Sequence, residues 1–430
     1  MMPSPDTVAV PEIPHTEHLL DNGLRVVLHR DSTLPLVAIN LWYHVGSRNE
    51  RPGQTGLAHL FEHMLFQGSE HVGTNEHFHY VQQAGGVANG STWYDRTNYY
   101  ETLPSPQLDL GLWLESDRMG FLLPALTQEK LDTQRDVVMN ERRQRVDNQP
   151  YGRAYERLHE LLYAPGHPYR WPVIGTMEDI AGATLDGVRD FFRTFYAPNN
   201  AVLTLAGDIE PERALDRVAA WFADIPAGPP LPAPPELPAP PTAARRDELR
   251  DRVQLPRVYL AWEVPPYGSD DWFAGTLLAT ALASGKSSPL YADLVLRRQL
   301  AKDVAAFLFP TELTATSAVV ATARPGVSAV ELERALDEHL AAAAADLPRA
   351  EDLERARNQM LNAAFSGIET VERKAEQLSQ FATYFRDPSY LAREIRAYAD
   401  TPPEALRSFA ARYWRQDRQA TLTVLPETSA

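Results

Sequence analysis

Apolar and polar residues alternate with period two in short runs and recur every three to four positions in longer ones, which divides the chain into strands and helices. LVAINLWYHVGSRNE (36–50) is an alternating strand ending in Gly-Ser. RVYLAWEVPPYGSDD (257–271) repeats that arrangement, and an apolar helical stretch follows each. FFRTFYAPNNAVLTLAGD (191–208) reads as a helix end followed by a strand, and SFAARYWRQDRQATLTVLPE (408–427) repeats the order, with LTLAGD matching LTVLPE. Units recurring at matching positions predict two copies of one fold.

Between the copies, PAGPPLPAPPELPAPP (226–241) is too rich in proline for a core and predicts an extended, semi-rigid spacer. The expected organisation is an N-terminal domain over 1–225, a linker over 226–244 and a C-terminal domain over 245–430. Asn22-Gly23 between two alternating runs predicts a hairpin. Residues 328–345 and 350–385, rich in Ala, Leu, Glu and Arg and separated by Pro348, predict two consecutive helices. Hairpin-like strand pairs with long helices place the chain in the α+β class rather than among doubly wound parallel sheets.

One predicted helix is apolar nearly all round. GLAHLFEHMLF (56–66) carries Leu57, Leu60, Phe61, Met64, Leu65 and Phe66, so it is expected to be buried, yet it includes His59, Glu62 and His63. Histidines at i and i+4 project from one helix face and can share a metal, and Glu62 lies near enough to reach an attacking water. The order H-x-x-E-H is the inverted zincin motif. The competing reading is a helix with a wet polar edge, but buried polar groups need partners, and a metal satisfies all three.

A catalytic zinc takes three protein ligands and keeps one position open. TQEKLDTQRDVVMNERRQRVD (127–147) predicts a helix capped by Thr127, with Leu131, Gln134, Val138 and Glu141 along one face. Taken alone, Glu141 is equally well explained by a salt bridge to Arg142 or Arg145, or by a solvated position. Glu129 competes as the third ligand, but it lies in the first turn, where the helix dipole already favours an acid.

Composition narrows the function. A net charge of −16 argues against nucleic acid, which needs clustered cations to release counterions, and mildly favours basic peptide segments. Cysteine is absent, so a metal here sits on nitrogen and oxygen. No apolar run reaches membrane-spanning length, and MMPSPDTVAVPEIP resembles no signal peptide, so the expected location is cytoplasmic.

With these motifs the chain resembles the family that includes pitrilysin, insulin-degrading enzyme and the zinc-bearing subunit of mitochondrial processing peptidase. GLAHLFEHMLFQGSE matches its metal motif, GGVANGSTWYDRTNYYETLP (85–104) its glycine-rich strand region, VVMNE the segment ending in its third ligand, Glu141, and HPYRWPVIGTMEDI (167–180) a further block. The resemblance implies two homologous domains, each an antiparallel sheet of about six strands packed by helices, enclosing a chamber that admits short or unfolded peptides. It implies one Zn2+ per chain on His59, His63 and Glu141, with Glu62 as general base. Leu277 and Ala281 stand where the histidines stand in the first half, so the second domain should bind no metal.

The chain departs from the family at two places. Gln134 replaces a glutamate seven residues before the ligand glutamate. Val295 and Lys302 stand where the family has an arginine and a tyrosine that hold substrate, with Arg297, Arg298 and Tyr291 as nearby substitutes. The expected partner is therefore a homologous zinc-free chain supplying that pair, with a second copy as the alternative. The segment Ala88, Asn89, Gly90 and Ser91, after a helix capped by Thr74, is the expected strand for peptide substrate to extend, although an ordinary edge strand explains it from the residues alone. His71, His77 and His79 read as surface residues, and His159 and His167 as structural ones. A non-catalytic scaffold of the same fold and a purely structural zinc site are the competing functions.

Overall fold

The computed structural model describes residues 11–427. Its first sheet has six strands in the order β1 (Thr16–Leu19), β2 (Arg25–Arg30), β6 (Ala201–Gly207), β3 (Leu36–Tyr43), β5 (Thr97–Pro104) and β4 (Val87–Thr92). The second has five: β7 (Arg245–Asp251), β11 (Ala420–Pro426), β8 (Arg257–Val264), β10 (Ala315–Ala323) and β9 (Ala301–Phe309). Laid over each other, β2, β6, β3, β5 and β4 correspond to β7, β11, β8, β10 and β9, and among the described residues the second copy lacks the counterpart of β1. The duplication read from residues 36–50 and 257–271 is therefore a duplication of topology.

Both sheets are antiparallel except at one junction each, where β2 runs parallel to β6 and β7 parallel to β11. The β1–β2 hairpin turns at Asn22-Gly23, with Gly23 at φ +88°. The Asn22 side-chain amide donates to the carbonyls of Phe222 and Ile225, pinning the turn to the first half.

Five helices frame the candidate site: α1 (Leu57–Met64), α2 (Glu76–Gln83), α3 (Leu108–Phe121), α4 (Gln128–Arg142) and α5 (Ala154–Leu162). The expected helix over 350–385 is two, Ala350–Ser366 and Val371–Tyr384, because the Thr370 hydroxyl accepts from Arg373 N and starts a new helix after Gly367. Residues 226–240 carry no helix or strand, and Asn199 holds their start through Gly228 and Pro229.

The halves exchange helices across the linker. Val371–Tyr384, from the second half, lies on β3 and β6 of the first sheet, where Glu376 accepts from Asn40 Nδ2 (2.7 Å), Trp42 Nε1 (3.0 Å) and Asn98 Nδ2 (2.9 Å). In return α5 lies on β11, β7 and β8, with Leu158, Leu162 and Tyr163 packed among Tyr259, Ala318 and Leu422. Central strands covered on both faces are buried along nearly their whole length, as β3 and β10 are.

Candidate metal centre

Helix α1 buries Leu57, Ala58, Leu60, Phe61 and Met64, with the Phe61 ring 4.2 Å from that of Tyr196 and 5.6 Å from that of Phe192. That packing fixes the rotation of the helix and leaves His59, Glu62 and His63 on its one remaining stripe. On α4, buried Leu131, Gln134 and Val138 do the same for Glu141 in the last turn. Thr127 caps α4 as expected, accepting from Lys130 N at 3.3 Å.

The two helices bring three donors together. Glu141 Oε2 lies 3.2 Å from His63 Nε2 and 3.9 Å from His59 Nε2, and the imidazole centroids are 4.8 Å apart. One donor atom from each residue lies within 4.8 Å of the other two. Donors about 2.0–2.1 Å from a tetrahedral ion sit about 3.4 Å from one another, so this spacing fits a single zinc with little adjustment. Burial and the neighbouring His63 pull His59 down to about 4, while the hydrogen bond to His63 holds Glu141 below the usual carboxylate range. A neutral imidazole and an ionised carboxylate are the forms a divalent ion needs. Arg145 Nη1 also reaches Glu141 Oε1 at 2.7 Å, so the salt bridge and the ligand geometry coexist on opposite oxygens. Glu129 lies in the first turn of α4, about three turns of helix away from Glu141.

A loop ties α1 and α4 to each other. Arg142 Nη1 donates to the Gly175 carbonyl at 2.6 Å and to Glu156. Gly175 (φ +79°) packs back to back with Gly56 (φ +84°) at the start of α1, so closely that a Cβ on Gly175 would lie 2.5 Å from Gly56 Cα.

Glu62 stands apart from the three donors. Its Oε2 accepts from Thr92 Oγ1 at 2.6 Å, and burial pushes its carboxyl upward against the pull of Thr92, His63 and Arg96. Thr92 escaped the sequence reading because nothing in its local pattern marks it; it faces Glu62 only because β4 crosses α1 at Gly90, where a Cβ would sit 3.3 Å from Glu62 Cγ. Strand β4 is an edge strand, with Val87 and Asn89 exposed and Ala88, Gly90 and Ser91 half-buried. Ser91 is committed to its own hairpin through Asn98 and Arg96.

Other expectations need correction. Helix α2 is preceded by Asn75 (φ +64°) rather than capped by Thr74. His71 and His79 are exposed, but His77 is 3% exposed, its ring edge-on to Phe66, because α2 turns that side into the core. His77, Glu101 and Glu115 form a second set of clustered donors. Arg118 sits in it, donating Nε to Glu115 Oε2 at 2.8 Å, and burial lifts Glu101 and Glu115 to about 7. Arg118 balances one carboxylate and a proton the other, whereas a divalent ion would leave excess positive charge in a dry pocket. His159 and His167 are buried, with His159 Nδ1 2.9 Å from Tyr94 OH and the His167 ring stacked on Tyr163.

In the second half, Leu277 and Ala281 are buried in the helix Asp270–Ala283, and neither donor cluster among the described residues lies there. Val295 is buried, Arg297 is paired with Asp293 and Arg298 with Glu338. These arginines are engaged locally rather than held toward the α1–α4 site.

Comparison with known proteins agrees with this architecture. Residues 25–174 match the family described as Insulinase (Peptidase family M16), and residues 182–360 match the one described as Peptidase M16 inactive domain. Zinc protease PqqE of Helicobacter pylori is 29% identical over 422 residues, covering 96% of this chain and 93% of that one. The crystal structure of a protease from Helicobacter pylori superposes with a TM-score of 0.89 at 27% identity, over 96% of this chain and 100% of that one. The periplasmic protease PqqL from Escherichia coli shares the fold at TM-score 0.78 and 18% identity, this match covering 97% of the present chain but 48% of PqqL. The chain belongs to the M16, or insulinase, family of peptidases.

Proposed function

We propose that the chain is a zinc-dependent endopeptidase subunit acting on short or unfolded peptides. The observation that carries this reading is the convergence of His59, His63 and Glu141 on one point, with Glu62 beside them and outside the donor set. Zinc held there acidifies water, from a pKa of about 15.7 toward about 7, and polarises a peptide carbonyl. With Thr92 occupying Oε2, Glu62 has Oε1 free to take the proton of the attacking water and return it to the leaving amine nitrogen. A structural zinc site would use four protein ligands, and among the described residues three converge here. Substrate adds to the free edge of β4 as an extra strand, recognised mainly through its backbone.

The reading includes a partner. No arginine–tyrosine pair stands at Val295 and Lys302, and PqqL, which shares the fold, is a chain about twice the matched length. A homologous zinc-free chain that supplies the pair and closes the peptide chamber is favoured over a second copy. The zinc lies in the N-terminal unit, residues 1–225, joined by 226–244 to a C-terminal unit, residues 245–430, that binds none. The competing function is a non-catalytic subunit of the same fold, against which the complete set of His59, Glu62, His63 and Glu141 weighs.

The test is turnover of a mixed peptide library by the zinc-loaded chain, alone and with its homologue, beside Glu62→Gln and a chelator-treated sample. Hydrolysis that needs zinc and is lost in Glu62→Gln, with metal still bound, supports the proposal. Hydrolysis that survives Glu62→Gln rejects the role of Glu62, and full activity of the chain alone rejects the partner.

A further inference from the structure

Helix α1 begins without a side-chain cap of its own: its N-cap is Gly56, in the left-handed region. Its first N–H groups are instead satisfied by a residue six positions upstream of Gly56. Glu50 Oε2 accepts from Gly56 N at 2.9 Å, and Glu50 Oε1 accepts from Ala58 N at 2.8 Å. Glu50 is 7% exposed. Burial pushes its carboxyl upward, with the two amide bonds pulling the other way, and the use of both oxygens as acceptors is the pattern of a carboxylate rather than a carboxylic acid. A buried carboxylate on the first turn also meets the positive end of the helix dipole.

The backbone that carries Glu50 is itself anchored. The turn Ser47–Asn49 takes Ser47 N to Trp93 O (3.2 Å) and Arg48 N to Tyr94 O (2.9 Å), and Trp171 Nε1 donates to Ser47 O at 2.9 Å. Trp93 directly follows Thr92, the hydroxyl partner of Glu62. One short turn therefore grips the strand that carries Thr92 and, through Glu50, the helix that carries His59, Glu62 and His63.

We propose that Glu50 is a positioning residue, fixing the depth and rotation of α1 so that both histidines face Glu141 and Glu62 meets Thr92. The proposal rests on the zinc peptidase reading and assigns Glu50 no contact with metal or substrate. Two bonds from one carboxylate to two N–H groups of the first turn resist rotation of the helix in a way that apolar packing alone does not. Glutamine in its place keeps the shape but turns an NH2 group toward one of the two amide donors.

The test compares wild type, Glu50→Gln, Glu50→Asp and a control, Ser328→Ala, which removes the cap of the helix Ala329–Ala345 in the second half. Zinc affinity is read by competition with a chromophoric chelator, the visible spectrum with Co2+ as the metal, kcat and KM on a peptide, and the melting temperature of the zinc-free protein. Glu50→Gln should weaken zinc binding by about tenfold or more, change the Co2+ bands and lower kcat with KM little altered. Glu50→Asp should recover part of each loss, and Ser328→Ala should lower the melting temperature without touching zinc affinity or the Co2+ bands. Wild-type zinc affinity and Co2+ bands in Glu50→Gln overturn the positioning role, and so do equal losses in Ser328→Ala. A wild-type chain that binds zinc tightly yet hydrolyses no peptide, with or without its homologue, overturns the peptidase reading alone, since metal affinity still judges Glu50. A wild-type chain that holds no zinc overturns both.

Discussion

The Thr92 hydroxyl and Glu62 Oε2 meet at 2.6 Å across the crossing of β4 and α1, so one oxygen of the proposed general base is fixed by the strand proposed to receive substrate. Removing the hydroxyl while keeping the branched shape, in Thr92→Val, frees Glu62 to rotate and leaves Oε2 without its donor. The expected result is a fall in kcat of about tenfold, equivalent to about 1.4 kcal/mol, with zinc content unchanged. Steady-state kinetics beside metal analysis check both.

Gly175 packs directly against the turn that starts α1, between α1 and the α4 residue Arg142. In Gly175→Ala the new Cβ would lie 2.4 Å from Thr55 O and 2.5 Å from Gly56 Cα, at a backbone φ of +79° that costs a side chain about 1–2 kcal/mol even in open space. The backbone of the Gly56 turn has to move, carrying α1 away from α4. Zinc affinity should fall by roughly tenfold or more, read by chelator competition, while the same change at Gly166, which has open space around it, should leave affinity alone.

Acid should unfold the zinc-free protein early. Burial pulls His159 from 6.5 down to about 4. Between those values the unfolded chain takes up a proton that the folded chain refuses, so stability present above about pH 6.5 is lost progressively as the pH falls toward 4. His159 alone contributes of order 3 kcal/mol at most to this slope. Urea midpoints measured across that range should decline, and His159→Phe should make the decline shallower.

The exchange of α5 and Val371–Tyr384 between halves predicts that the halves unfold together. Each lays a helix over the other's sheet, so one face of each sheet is bared when the other half is gone. Calorimetry should show one transition. Glu376→Ala, which strands the buried donors of Asn40, Trp42 and Asn98, should lower the whole transition by roughly 3 kcal/mol rather than split it.

Features with a local signature were legible in the residues. The pentapeptide from His59 to His63, the capped helix ending near Glu141, Asn22-Gly23 and the paired strand ends all declare themselves within a few positions. Contacts made across the fold did not. Thr92 and Glu50 lie in unremarkable strand and turn sequence, and their roles depend on where α1 crosses them. His77 shares a polar-looking helix with exposed His79, and only the packing of α2 against Phe66 decides which of the two is buried. The proline-rich segment lies in the chain between the strands of the first sheet and those of the second, while the helices traded across it followed from which sheet faces lay open, a property no single segment carries.

Anomalous diffraction at the zinc edge, on crystals of the zinc-loaded chain, tests the central claim most directly. A single strong peak bonded to His59 Nε2, His63 Nε2 and a Glu141 oxygen, with Glu62 outside bonding distance, is the predicted result. A peak away from these three residues, or none at full zinc loading, would contradict it.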